Sequence, residues 1–337
     1  MKRFLLNFAL FAFLSVVLYG GWAGALLWAE LHAYARESHL PDDVTCVVCG
    51  DSQTETGLLA PTWPHFFNFS ISSLQLDQVE LKVIDLLERN PDFRGTVIID
   101  MSPMKLFDQD LDKSMLVDRS SGKRFLLHAL HPDRSRRPLD GVVILFRDSI
   151  LVKRTTKALQ CIRKGCPYFS SIGGMGAVPG LTEDAAATNR TRFLSMPTPC
   201  GFAEHPDLVE EGMDEAATEL DRWGLVDADS KSVRCLRDIL SEIRAHGARP
   251  VMITTPIHPR LLNRMPRNKL ENFKATLQTV AKAEKVAYFS YLKEEFPDGE
   301  WRDGNHLNFR GAVRLTEMVR EDVESGRSER KEVRYGN

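Results

Sequence analysis

The chain has 337 residues, a formal net charge of −2 and a pI near 6.5. It is 43% apolar and 27% charged. This length can bury one sizeable core with room for a subdomain, the composition is that of a folded globular domain, and the charge balance excludes the basic footprint of a nucleic-acid-binding protein.

The first thirty residues differ from the rest. Lys2 and Arg3 precede an uncharged apolar run from Phe4 to Ala29. About 20 such residues span a bilayer, and positive charge on the short N-terminal side keeps that side in the cytoplasm. The expectation is one N-terminal transmembrane helix, a signal anchor over 1–30, with the remainder on the extracytoplasmic side. A cleaved signal peptide is the alternative: Ala23-Gly24-Ala25 has the small-x-small form of a cleavage site, and Gly20-Gly21 can break the helix before it. Leu26-Leu27-Trp28 extend the run past that site and favour the anchor. Both readings export the domain. Residues 31–43 are polar, a linker or a helix extension that ends in Pro41-Asp42-Asp43.

Val44 to Cys49 reads as a short buried strand running into a turn at Gly50-Asp51-Ser52. Phe66 to Ser70 is a second strand. Leu74 to Leu87 carries apolar residues at helical spacing among Asp, Glu and Lys, and Asn90-Pro91 stops it. Thr96 to Pro103 is a third strand ending in a turn. Strand, helix and strand at these spacings predict a βαβ unit and a parallel sheet. From 104 to 224 the pattern blurs into an insertion, a lid or substrate-binding subdomain, with Val142 to Phe146 its best core segment. Its basic clusters (Lys123-Arg124, Arg134 to Arg137, Lys153-Arg154, Arg163-Lys164) read first as solvated surface charge and second as contacts for an anionic glycan. Ile172-Gly173-Gly174-Met175-Gly176 lacks the Lys-Ser/Thr ending of a phosphate loop and reads as a flexible loop.

Order returns with a helix from Val233 to Ala245, stopped by His246-Gly247. A strand from Val251 to Thr255, a helix from Leu270 to Lys285, a strand from Val286 to Leu292 and a helix from Arg310 to Glu324 follow. Ser325 to Asn337 is a polar, disordered tail. The main domain therefore runs from 44 to 324.

Six cysteines suit an exported chain. Cys161 and Cys166 can close a small loop, and Cys200 and Cys235 are a possible second pair. Cys46 and Cys49 have CxxC spacing, but an odd separation on a strand sends them to opposite faces, so they read as core residues. No second CxxC completes a metal site, and no metal or organic cofactor is expected. Asn68-Phe69-Ser70 and Asn189-Arg190-Thr191 match a glycosylation sequon, the first in a buried strand.

Chemistry concentrates at the two ends of the domain. Ser52 follows the first strand, where open α/β sheets build their sites. Asp303-Gly304-Asn305-His306 lies between a strand and the last helix. An aspartate three residues before a histidine can orient the imidazole, and the histidine can activate a serine hydroxyl. A triad is defined in space, so nucleophile first and base last is a workable order.

Gly50-Asp51-Ser52 near the first strand and Asp303-x-x-His306 before the last helix resemble the SGNH (GDSL-type) hydrolase superfamily, above all its membrane-anchored bacterial members that act on envelope or exported polysaccharide. Val251 to Pro259 resembles a late strand and loop of that group. The resemblance covers about 44–103 and 232–322 and leaves the middle unexplained. It implies a flavodoxin-like three-layer α/β/α sandwich with a mostly parallel sheet. It also implies Ser52 as nucleophile, His306 as base, Asp303 as orienter, and carboxyl ester chemistry, most plausibly on O-acetyl groups of polysaccharide. In the superfamily a Gly and an Asn from two later strand ends help form the oxyanion hole. The matching ends here read Ser70-Ile71-Ser72 and Met101-Ser102-Pro103, so neither is present. Gly50, Asp51, Ser70, Ser72, Ser102 and His258 are therefore the expected oxyanion and substrate-binding residues. Two readings follow: a membrane-anchored O-acyl esterase or transferase, or a non-catalytic glycan-binding or assembly protein on a degenerate scaffold. A thiol enzyme at Cys49 is a poor third, because Cys49 belongs inside the strand.

Overall fold

The structure, a computed structural model, describes residues 2–37, 39–59, 62–70, 74–107, 213, 217–218, 221–222 and 224–326. The chain forms two compact units, Met1–Glu37 with Ser114–Ser171, and Ser38–Lys113 with Ile172–Asn337.

The described element of the first unit is α1 (Lys2–Glu37). It continues through 31–37, so the start of the polar segment is helix extension. Phe4, Leu6, Phe8, Phe11, Val16 and Leu18 point in all directions around the axis, and all are exposed. Asn7, Ser15 and Tyr19 interrupt the apolar run. Among the described residues no helix is long and apolar enough to cross a membrane, so the expected transmembrane helix is not found there.

The second unit holds an α/β domain. Its elements are β1 (Cys46–Cys49), α2 (Ser52–Gly57), β2 (Phe66–Asn68), α3 (Leu76–Arg89), β3 (Thr96–Asp100), α4 (Pro103–Phe107), α5 (Lys231–Ala245), β4 (Arg249–Thr254), α6 (Pro259–Arg264), α7 (Arg267–Glu284), β5 (Ala287–Ser290), a 3₁₀ turn at Asp298–Glu300 and α8 (Phe309–Glu324). All strand pairs are parallel, in the order β2-β1-β3-β4-β5. This is the order of doubly wound, flavodoxin-like sheets, whose direction of winding reverses beside β1. The expected parallel βαβ unit is present, and each predicted strand and helix of the domain has a counterpart displaced by a few residues at its ends. Three short helices, α2, α4 and α6, have no apolar period of their own and were not expected.

Near-continuous apolar strands mean that both sheet faces are covered. Cys46, Val48, Ile98, Val251, Ile253 and Phe289 pack with Leu315, Val319 and Val323 of α8. On the other face α3, α5 and α7 lie against β1, β4 and β5. The two strand cysteines divide between these layers as their spacing requires: Cys46 belongs to the α8 side, and Cys49 feels the ammonium of Lys82 on α3. Burial pushes the Cys49 thiol up to about 12 and raises Cys46 as well, which suppresses the thiolate that nucleophilic chemistry needs.

Cys235 departs from expectation. It is a buried thiol on α5 that donates to Glu80 Oε2 of α3 at 3.2 Å, so it does not form the suggested pair with Cys200. The interface of α5 with α3 fixes where its side chain points. Cys200, Cys161, Cys166, Val142 to Phe146, the basic clusters, the Gly-rich loop, the Asn189 sequon and residues 327–337 lie outside the described residues.

Candidate active site

Strand β1 runs into Gly50, and the chain turns at once into α2. A Cβ on Gly50 would sit 2.2 Å from Thr54 Oγ1 and 3.0 Å from Asp100 Cβ, so only glycine fits. Asp51 is the N-cap of α2, its Oδ1 accepting from Gln53 N at 2.9 Å. Ser52 is the first helical residue. Its N–H belongs to the first turn, where backbone donors have no partner within the helix. The turn stands at the carboxyl end of β1, beside the point where the strand order reverses.

The second half of the site is the loop before α8. Trp301 and Leu307 form an isolated antiparallel bridge, and the bend between them carries Asp303 and His306. Asp303 Oδ1 accepts from Asn305 N at 3.0 Å and His306 N at 2.9 Å. Asn308 caps α8, accepting from Arg310 N and Gly311 N, and its own N–H donates to Glu300 O at 2.9 Å. Met213, a buried residue from the expected insertion, packs against Gly304.

These halves meet. His306 Nε2 lies 2.7 Å from Ser52 Oγ, and His306 Nδ1 lies 2.8 and 2.9 Å from the two Asp303 carboxylate oxygens. A carboxylate only accepts, so Nδ1 carries the imidazole proton and Nε2 is left to accept from Ser52. Burial pushes the Asp303 carboxyl up, but the bond and charge of His306, the Asn305 N–H and Arg302 outweigh it and hold the group below the usual aspartate range. Packing of α2 against α8 brings the two ends together, and Thr316 Oγ1 of α8 accepts from Leu59 N at 3.0 Å.

The expected oxyanion residues fare differently. Ser70 is wholly buried; its N–H donates to Asn68 Oδ1 at 3.0 Å, and among the described residues its hydroxyl has no hydrogen-bond partner. Ser102 is buried and its Oγ accepts from Lys105 N at 3.4 Å. Ser72 lies outside the described residues. His258, expected to line the pocket, is buried with both ring nitrogens engaged: Nδ1 accepts from Arg260 N at 3.1 Å as the N-cap of α6, and Nε2 lies 3.2 Å from Asp298 Oδ1. Its backbone N–H donates to Gly304 O at 3.0 Å. These bonds tie His258 to the loop that carries Asp303 and His306.

Sequence reading missed the layer beneath Ser52. Lys105 Nζ reaches Asp100 Oδ2 at 2.8 Å, Asp100 O at 3.0 Å and Asp51 Oδ2 at 3.2 Å. Thr255 Oγ1 donates to Gln53 Oε1 at 2.8 Å and lies 3.5 Å from Asp100 Oδ1. Burial pushes Asp100 up to about 6, with Lys105 opposing the rise and Asp51 adding to it. Burial works against the Lys105 ammonium too, yet Asp100 and Asp51 hold it above the usual lysine range. Asn68, in the first sequon, is buried as expected; its amide donates to Thr54 O at 2.8 Å and Leu58 O at 2.7 Å, tying β2 to α2. A lone polar residue in an aromatic strand and a lone lysine in an apolar turn were the only signals of these roles. Among the described residues no group of three His, Cys, Asp or Glu side chains is placed to hold a metal ion.

The sequence matches no known protein family profile, and comparison with curated proteins finds no relative.

Proposed function

We propose that the chain is an SGNH-type serine hydrolase or acyltransferase acting on O-acyl, chiefly O-acetyl, esters of envelope or exported polysaccharide. One observation carries the reading: Ser52 Oγ, His306 and Asp303 form a continuous hydrogen-bonded relay with spacings of 2.7 and 2.8 Å. In this scheme His306 Nε2 takes the Ser52 proton as the hydroxyl attacks the ester carbonyl, then returns it to the departing sugar alkoxide. Asp303 holds the tautomer and supports the imidazolium. The Ser52 N–H is one donor to the developing oxyanion. Water completes hydrolysis, and a second sugar hydroxyl completes transfer. The domain is exported, and α1 attaches it to the membrane; the sequence from Phe4 to Ala29 holds no charge, and its described large apolar side chains are exposed.

The test uses the full chain in detergent, with a fluorophosphonate probe and p-nitrophenyl acetate. Labelling and turnover are expected in the wild type and neither in Ser52→Ala or His306→Ala. A folded wild type that stays unlabelled would sink the enzyme reading.

A second reading, a non-catalytic glycan-binding or assembly protein, draws on one observation. The positions that match the superfamily's oxyanion Gly and Asn are serines turned inward, with the Ser70 N–H already committed to Asn68. Polysaccharide binding by a chain that the probe does not label is its signature.

A further inference from the structure

Lys105 lies outside the relay, yet it is a nearly inaccessible cation close to it. Its side chain is 3% exposed. An ammonium has three hydrogens, and three acceptors surround this one: the Asp100 carboxylate, the Asp100 carbonyl and Asp51 Oδ2. Asp51 is shared between two tasks. Oδ2 meets Lys105, while Oδ1 caps α2 through Gln53 N, one residue after the nucleophile. Lys105 comes from α4, which follows β3, whereas Asp51 follows β1. The ion pair therefore joins the carboxyl ends of two adjacent strands, one of which leads into Ser52.

We propose that Lys105 is a positioning residue for Ser52, acting through Asp51: it sets the rotamer of Asp51 and with it the direction of the turn that aims the Ser52 hydroxyl at His306. The inference rests on the serine-relay reading for its catalytic consequence but not for its structural one. A purely structural role would make Lys105 matter only as counter-charge to the buried Asp100. The two roles separate when both buried charges are removed together.

The experiment compares full-length wild type, Lys105→Met and Asp100→Asn/Lys105→Met. Lys105→Met leaves a buried carboxylate without its partner and is expected to lower Tm or to fail to fold. The double variant removes both charges, so its Tm recovers towards wild type. Its fluorophosphonate labelling is nevertheless expected to stay about 10²-fold slow, the scale of effect that a misaimed reactive group produces. With p-nitrophenyl acetate the loss should fall on kcat, with KM unchanged. Recovery of labelling together with Tm would overturn the proposal. Hydrogen exchange by mass spectrometry supplies a readout that needs no activity. Segment 51–57 of the double variant should exchange about fivefold faster, as for a helix that has lost its N-cap, with the rest of the sheet unchanged. Unchanged exchange there overturns the proposal as well. A wild type that the probe does not label, with faster exchange in 51–57 of the double variant, defeats the enzyme reading and upholds the role of Lys105.

Discussion

The two halves of the candidate site are held by different physics. The His306 loop is partly exposed and is fixed by short-range bonds close to solvent: a carboxylate accepting two backbone N–H groups within three residues, a one-residue bridge and an asparagine cap. The Ser52 turn stands on buried charge, with Asp100 wholly inaccessible and Lys105 nearly so. Exposed local bonds are individually weak, and any one of them can be lost at modest cost. Buried pairs contribute little net stability when intact but are expensive to break by halves. Damage to the loop should therefore reach chemistry before stability, and damage beneath the turn should do both.

Asp303→Asn is the sharpest probe of the loop. The amide can no longer hold the Nδ1–H tautomer, and activity should fall about 10⁴-fold, as in other triads, while Tm stays near wild type. A comparable loss of Tm would show that the loop, like the turn, is structural. Asn68→Ala tests the turn side. It leaves the carbonyls of Thr54 and Leu58 without their buried donor and should cost roughly 2–4 kcal/mol, measured by denaturant unfolding. A loss under about 1 kcal/mol would mean that water replaces the amide. Asn308→Ala removes the cap of α8 and should cost about 1 kcal/mol, with slower probe labelling because His306 sits two residues before the cap.

The smallest effect is in pH. Asp100, at about 6 when folded, lies above the ordinary aspartate value near 3.9. Across roughly pH 4 to 6 the folded protein thus keeps a proton that the unfolded chain has released, so this group's contribution is greatest below about pH 4 and is lost as pH rises through 6. Asp303 has the opposite sign: its lowered value gives stability that is present above about pH 4 and lost on acidification. The Tm of wild type minus that of Asp100→Asn should therefore decline from pH 4 to pH 6. A flat or rising difference would contradict the burial of Asp100.

Much of this was legible in the chain. Strand and helix periods gave the parallel sheet and its order of elements, and the odd spacing of Cys46 and Cys49 gave their opposite faces. Asp303 and His306 were readable because their bond is made within one turn of chain. The burial of Ser70, Ser102 and His258 was harder to read, because a serine or histidine in the segment after a strand looks alike in sequence whether it is exposed or buried. The disulfide suggested for Cys235 failed for the same reason, since spacing carries no information about which side of a helix a neighbour occupies.

The sequence by itself determined the elements, the alternation of faces and the local acid–base pair, all of which depend on residues within a few positions of one another. Only the tertiary structure decided that Ser52 and His306, 254 positions apart, come within 2.7 Å, and that Lys105 is the shared counter-charge of Asp51 and Asp100. Such contacts depend on how α2 packs on α8 and how the ends of β1 and β3 lie side by side, and a linear pattern of residue types does not encode which distant groups a parallel sheet brings to one edge.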